Sequence, residues 1–420
     1  MSARLHTLGN GVRVVCDPSA EHETFALSAV AGAGSRLEDA ARGGWSHLLE
    51  HMVFKGAGAR DARALVEDLE SVGGNINAAT GYERTSFQVR ALKGHLPLAV
   101  EILGDLMLRP TLDPVELERE KGVIAQEIAE AADTPDDRVF DLAQGRAFAD
   151  SALGRPILGT EASVGGATAN ALAAWRALLY APDRIVVSAA GAVDEDELLA
   201  EVERAFGEAA PAASAAVQPA AFTGGAEVEQ RLLEQAHLVF EWPGVSAMDP
   251  DAFAARIFAE ALGGGMSSRL FQEAREKRGL AYNIDAFAES YADVGLFGVY
   301  AGAAAADAAA LARLAAEQVR DLAERPTEAE VARGRVQMTS ALFMARESLL
   351  ARAEQGAAQV LVHGRLIGAA ELRERIDAVD VDAVRRVGRR SLESARAATA
   401  TLGPKRAGAA AEAFGRALFG

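Results

Sequence analysis

Cysteine occurs once in 420 residues, at Cys16. A single thiol closes no internal disulfide and builds no thiolate cluster, so any metal site must use His, Asp and Glu. Cys16 sits in the strand-like run VRVVCDP and reads as a packed thiol. Aromatic residues make up only 6% of the chain while alanine is abundant, which predicts small-residue helices in close packing. No run of eighteen uncharged apolar residues occurs, so no apolar helix spans a membrane. Basic residues are outnumbered, 43 against 60 acidic ones, and the net charge of −17 argues against nucleic acid as a partner. The opening MSARLHTLGNGVRVVCDPS has neither an apolar signal core nor an Arg/Ser-rich amphipathic segment, so the expected address is cytoplasmic.

What is present is the balance of a globular protein, half apolar and a quarter charged, at a length that calls for two domains or more. Strand-like runs cover residues 12–16 and 24–31, and GGWSHLLEHMVFKG follows as a helix started by its glycine pair. DARALVEDLESVGG reads as a helix stopped by Gly73-Gly74, and NINAATGYERTSFQVRAL as a hairpin. Two helices come next, HLPLAVEILGDLMLRP and PVELEREKGVIAQEIAEAA; in the second, Leu117, Ile124 and Ile128 form one apolar stripe. A helix at 171–179, the strand RIVVSAAGAV and the helix DEDELLAEVERAFGE close this half.

Residues 209–225 are small, Pro-bearing and uncharged, a linker composition at mid-chain. After them the order restarts with the strand HLVFEW, the helix DAFAARIFAEALGGG and the hairpin YNIDAFAES…GLFGVYAG. The long helix beyond is broken at Pro326, and Arg109-Pro110-Thr111 recurs as Arg325-Pro326-Thr327. The reading is an α+β protein of two homologous domains, each an antiparallel-rich sheet flanked by helices. Residues 1–208 form one, 209–225 link, and 226–420 form the other.

Two histidines four apart, His47 and His51, frame a carboxylate in His47-Leu48-Leu49-Glu50-His51. On a helix these share one face, so both imidazoles can meet one ion with Glu50 beside it. Zinc held by two histidines needs a third protein ligand, leaves a position for water and lowers that water's pKa; a neighbouring carboxylate can then take its proton. His-x-x-Glu-His is the inverzincin order of a known metallopeptidase motif. The bland alternative is an ordinary helix that happens to carry two histidines. His6, His22, His95, His237 and His363 show no ligand spacing and read as structural or surface residues. For the third ligand the helix ELEREKGVIAQEI offers Glu120 and Glu127, two turns apart on one side.

On these residues the chain resembles the pitrilysin/insulinase-type zinc peptidases, in the short-chain branch of the mitochondrial processing peptidase beta subunit and its bacterial homologues. GGWSHLLEHMVFKG, GGNINAATGYERTSFQV and GRPILGT at 154–160 carry the resemblance, which runs from about Leu5 to beyond Leu350. It implies one Zn2+ per chain on His47, His51 and Glu127, the last about seventy-six residues after the second histidine. It implies Glu50 as general base and Glu120 as a carboxylate orienting a ligand histidine. It also implies a hairpin whose edge strand, with Asn75, Asn77 and Ala78, pairs with the peptide backbone of the substrate.

Without that resemblance, LGGGMSSRLFQEAREKRGLAYNI at 262–284 reads as a glycine loop, a charged helix and a packed tyrosine. The family implies instead an Arg and a Tyr seven apart that reach substrate and developing oxyanion, and Arg275 and Tyr282 fit, with Arg269 a near alternative. It further implies that each chain is half a clamshell. A chain holding both sets of residues points to a homodimer, and a heterodimer with a related subunit stays open. A non-catalytic scaffold subunit is the competing reading, against which the complete His47, Glu50, His51 and Glu127 set counts. Glu116, Glu118 and Glu130 suggest a bias towards basic peptides.

Overall fold

The structure, a computed structural model, describes residues 3–211 and 217–420. Part of the expected linker, 212–216, lies outside the described residues. Among the described residues two large sheets form, each of them mixed, beside a two-stranded one that pairs Gly56–Ala57 with Arg60–Asp61. In the first, β1 (Arg4–Thr7), β2 (Arg13–Pro18), β3 (Thr24–Ala31), β4 (Asn75–Thr80), β5 (Thr85–Leu92) and β6 (Ile185–Gly191) lie in the order β1-β2-β6-β3-β5-β4. Only β2 and β6 run parallel. In the second, β7 (Gly225–Gln230), β8 (Ala236–Pro243), β9 (Asn283–Ser290), β10 (Gly295–Ala303) and β11 (Ala398–Gly403) lie in the order β9-β10-β8-β11-β7. Its one parallel pair is β7 with β11, the counterpart of β2 with β6. The second sheet therefore repeats the first without its leading strand, as the restart after the linker predicts.

The two compact units do not divide at one point of the chain. The first holds Met1–Ile128, Pro156–Gln218 and Phe343–Gly368; the second holds Ala129–Arg155, Pro219–Leu342 and Ala369–Gly420. The strands follow the two halves of the sequence, but one helix from each half serves the other unit. Val139 and Ala143 of the helix Pro135–Ala147 pack on Val239, Tyr300, Ala400 and Leu402 of the second sheet. Ala357 and Val360 of the helix Leu349–His363 pack on Val15, Val30 and Val186 of the first. Gly356 lets that helix lie close, since a Cβ there would meet Ser188 Oγ at 2.9 Å and Val15 Cγ1 at 3.1 Å.

The other face of the first sheet carries the larger core. Phe25, Leu27, Phe87 and Val89 point into it and meet Leu48, Leu49, Met52 and Val53 of the helix α1 (Trp45–Val53). The helix α2 (Pro114–Asp133) adds Leu117 and Ile124. The break at Pro326 is real, with helices at Ala308–Glu324 and Glu328–Ala345. Local pattern does not mark the helix Pro135–Ala147 or the elements that follow the helix Glu328–Ala345. Among the described residues no helix is long and apolar enough to cross a membrane.

Candidate metal centre

Helix α1 is held at its start before any metal is considered. Gly44, its N-cap, has φ +85°, and a Cβ there would lie 2.4 Å from Leu158 O, so glycine is required. The buried carboxylate of Glu38 accepts from the backbone N–H of Gly44 (2.9 Å) and of Ser46 (2.7 Å), two donors a helix start leaves open. Trp45 Nε1 donates to Ser163 O at 2.9 Å and Trp175 Nε1 to Ser46 Oγ at 3.3 Å. Leu48, Leu49, Met52 and Val53 are wholly buried, which turns His47, Glu50 and His51 to the opposite, partly open side.

Helix α2 crosses that side with two carboxylates in different roles. Glu127 Oε2 lies 3.9 Å from His47 Nε2 and 3.7 Å from His51 Nε2. The three ligand atoms of His47, His51 and Glu127 all fall within 4.8 Å of one another. Ligands at about 2.0–2.1 Å in tetrahedral array stand about 3.4 Å apart, so small side-chain shifts would seat a zinc ion. Glu127 Oε2 and His47 Nδ1 are buried without a hydrogen-bond partner. A carboxylate oxygen facing two imidazole nitrogens beyond hydrogen-bond length fits a cation among them better than a dry pocket. Burial, with His51 adding to it, pushes the His47 pKa down to about 4, which keeps the ring neutral, as a ligand must be.

Glu120 is the more deeply buried of the two and stands behind the donors. Its Oε2 lies 3.0 Å from His51 Nδ1, and its Oε1 2.8 Å from Lys55 Nζ. A proton on Nδ1 shared with Glu120 leaves the His51 Nε2 lone pair free towards Glu127. Glu50 lies outside the donor set, and Thr80 Oγ1 donates to its Oε2 at 2.5 Å. Burial pushes the Glu50 pKa up, and the Thr80 hydrogen bond opposes that rise.

Strand β4 ends the first sheet, paired only with β5, so one line of its backbone N–H and C=O groups faces away from the sheet. The three residues expected to bind substrate do not share a face. Ala78, with Ile76, turns to the core side that carries α1, whereas Asn75 and Asn77 are exposed on the other side.

In the second unit Arg275 belongs to a π-helix, Phe271–Lys277, an uncommon form that concentrates at functional sites. Its guanidinium lies 4.9 Å from the centre of the Phe271 ring. Tyr282 stands at the entry to β9 with 60% of its surface exposed, its N–H bonded to Gly302 O at 2.9 Å. Arg269, the alternative arginine, is committed elsewhere. It is held by Asp321 and Glu330 at 2.6 Å each and by Arg325 O at 2.9 Å. Arg275, by contrast, makes no ion pair among the described residues. Of the acidic residues on α2, Glu116 and Glu118 pair with Arg119 and Lys121 of the same helix.

Sequence reading did not single out Glu38, Lys55 or Thr80. Period-two spacing from Ala78 puts Thr80 on the α1 side and Lys55 is one turn past His51, so both carried a local signal; Glu38 carried none.

Two imidazoles from α1, a carboxylate from α2 and a second carboxylate beside them define a metal-dependent hydrolase centre. The family model described as insulinase, peptidase family M16, matches residues 13–161, and the one described as peptidase M16 inactive domain matches residues 166–338. The chain belongs to the M16 family of zinc peptidases. An uncharacterized zinc protease of Streptomyces coelicolor is 35% identical over 96% of this chain and 90% of its own. A probable mitochondrial-processing peptidase subunit beta of Arabidopsis thaliana is 34% identical over 96% of this chain and 78% of its own. Among solved structures, a protease from Helicobacter pylori superposes with a TM-score of 0.88 at 20% identity, over 96% of this chain and 99% of that one, a likeness of fold.

Proposed function

We propose that the protein is a zinc endopeptidase that hydrolyses unfolded peptides or oligopeptides held as an added strand on β4. The observation that carries the reading is the orphaned Glu127 Oε2 facing both histidine Nε2 atoms, with Glu50 beside them and an open strand edge next to Glu50. His47, His51 and Glu127 would hold a zinc ion and Glu120 would orient His51; the ion would supply Lewis-acid polarisation of the scissile carbonyl and a more acidic water. Glu50 accepts the water's proton at its free oxygen and returns it to the leaving amine. The β4 backbone, with Asn75, Asn77 and Ala78, aligns the peptide main chain. Arg275 and Tyr282 supply a cation and a phenol to substrate and oxyanion.

Because one chain carries both residue sets, the working form is a homodimer with an enclosed chamber completed by the second copy, or a heterodimer with a related subunit. The test is metal content with peptide cleavage. One zinc per chain and cleavage of a quenched peptide, abolished by a chelator and restored by zinc, support the reading. Full zinc occupancy without turnover on varied peptides favours a non-catalytic subunit. Mixing Arg275→Ala chains with Glu50→Gln chains tests the shared site, since a composite site regains activity in the mixed dimer. Turnover of basic against neutral peptides along a salt series tests charge preference, for which Glu130 is the α2 acid without an ion pair among the described residues.

A further inference from the structure

Thr80 closes β4, and strand alternation puts its side chain with Ile76 and Ala78 on the side of α1. Its hydroxyl reaches Glu50 Oε2 at 2.5 Å, the length of a hydrogen bond to an ionised acceptor. One carboxylate oxygen is thereby occupied and the other remains available. The hydroxyl is itself held in a fixed frame. The turn after Thr80 receives hydrogen bonds from the segment that leads into α1, Ser35 N–H to Gly81 O at 3.1 Å and Arg36 N–H to Tyr82 O at 2.8 Å. The buried Arg36 guanidinium also pairs with Glu83 of that turn. Two residues on, Glu38 caps the helix that carries Glu50. The edge strand and the helix bearing the base are therefore tied together at both ends of a short circuit, and Thr80 spans the gap between them.

We propose that Thr80 is a positioning residue for the general base, its hydroxyl fixing the Glu50 carboxylate relative to the strand edge on which the peptide lies. The inference rests on the peptidase reading above and adds a link between substrate strand and base. A carboxylate that must meet a water and then a leaving amine loses rate when its rotamer wanders, and a hydroxyl anchored in the substrate-bearing strand removes that freedom. Peptide lying on β4 and the oxygen that moves the proton then share one frame.

Thr80→Val keeps the size and branching of the side chain and removes the hydroxyl; Thr80→Ser keeps the hydroxyl and removes a methyl. Both variants are to be measured for kcat, KM, zinc content and Tm. The expected result is kcat lower by about 10- to 100-fold in Thr80→Val, the range of a displaced acid–base group. KM and zinc content stay within twofold of the wild type, and Thr80→Ser regains most of the rate. On a Glu50→Gln background Thr80→Val costs nothing further, because the hydroxyl then has no base to place. Wild-type kcat in Thr80→Val, or Thr80→Ser no faster than Thr80→Val, overturns the role. So does zinc loss, or a rise in KM at unchanged kcat, since either assigns Thr80 to site assembly or peptide binding. A zinc-loaded wild type that cleaves no peptide overturns the peptidase reading itself, and the Thr80 role with it.

Discussion

His51 and Glu120 meet at 3.0 Å through Nδ1 and Oε2, and this contact decides which nitrogen of the ring faces Glu127. A histidine offers a metal only the nitrogen whose lone pair is free. A buried carboxylate that also holds Lys55 is a fixed partner for the other nitrogen.

Glu120→Ala therefore weakens zinc by about 10- to 100-fold without removing a ligand. Competition with a chromogenic chelator measures it. Unchanged affinity would show that His51 is oriented by other contacts.

Glu50→Gln separates metal binding from chemistry. Zinc content stays at one per chain while peptide turnover drops by about 10²- to 10⁴-fold, the usual worth of a general base. If the metal were lost instead, Glu50 would be a ligand and the assigned roles would be wrong.

His47 gives the metal-stripped protein a pH dependence of known sign. Its folded pKa, about 4, lies below the 6.5 of an unperturbed ring. Between those values the unfolded chain binds a proton that the folded chain refuses, so this contribution favours unfolding progressively as pH falls from 6.5 to 4 and is flat above. The slope it adds is at most about 1.4 kcal/mol per pH unit. Denaturant unfolding of the stripped protein across that window shows a steeper pH dependence for the wild type than for His47→Leu. Equal slopes would mean the ring is not desolvated.

Glu38→Ala strips two backbone donors at the start of α1 of their acceptor. The expected loss is about 2 kcal/mol, the cost of breaking hydrogen bonds to a buried charge. It is read as a lower denaturation midpoint, with Glu38→Gln intermediate because its amide oxygen still accepts. A midpoint unchanged in Glu38→Ala would leave Gly44 and the Trp45–Ser163 contact as the anchors of the helix.

Much of the centre was written in the sequence. The four-residue spacing of His47 and His51 needs only a helix to bring both rings to one side, and Leu48, Leu49, Met52 and Val53 say which side is buried. The repeat after the linker was legible too, because strand and helix periods recur in the same order. Those features depend on the geometry of a single element, which covalent spacing dictates.

Other features depend on which distant surfaces collapse together. From spacing, either Glu120 or Glu127, two turns apart on α2, could reach the metal, with the more apolar stretch around Glu127 favouring it; the packing of α2 on α1 brings Glu127 to the Nε2 atoms and Glu120 to Nδ1. The helices Pro135–Ala147 and Leu349–His363 each bury a face, and each packs on the sheet built by the other half of the chain, a choice that local spacing does not encode. Thr80 reaches Glu50 because the strand end lies beside the base-bearing helix, packed there through Ile76 and Ala78 and tied through Arg36 and Glu38. The sequence determined the direction of each side chain relative to its own helix or strand. The partner across the gap was decided by tertiary packing, since burial rewards any matching apolar face and carries no address of its own.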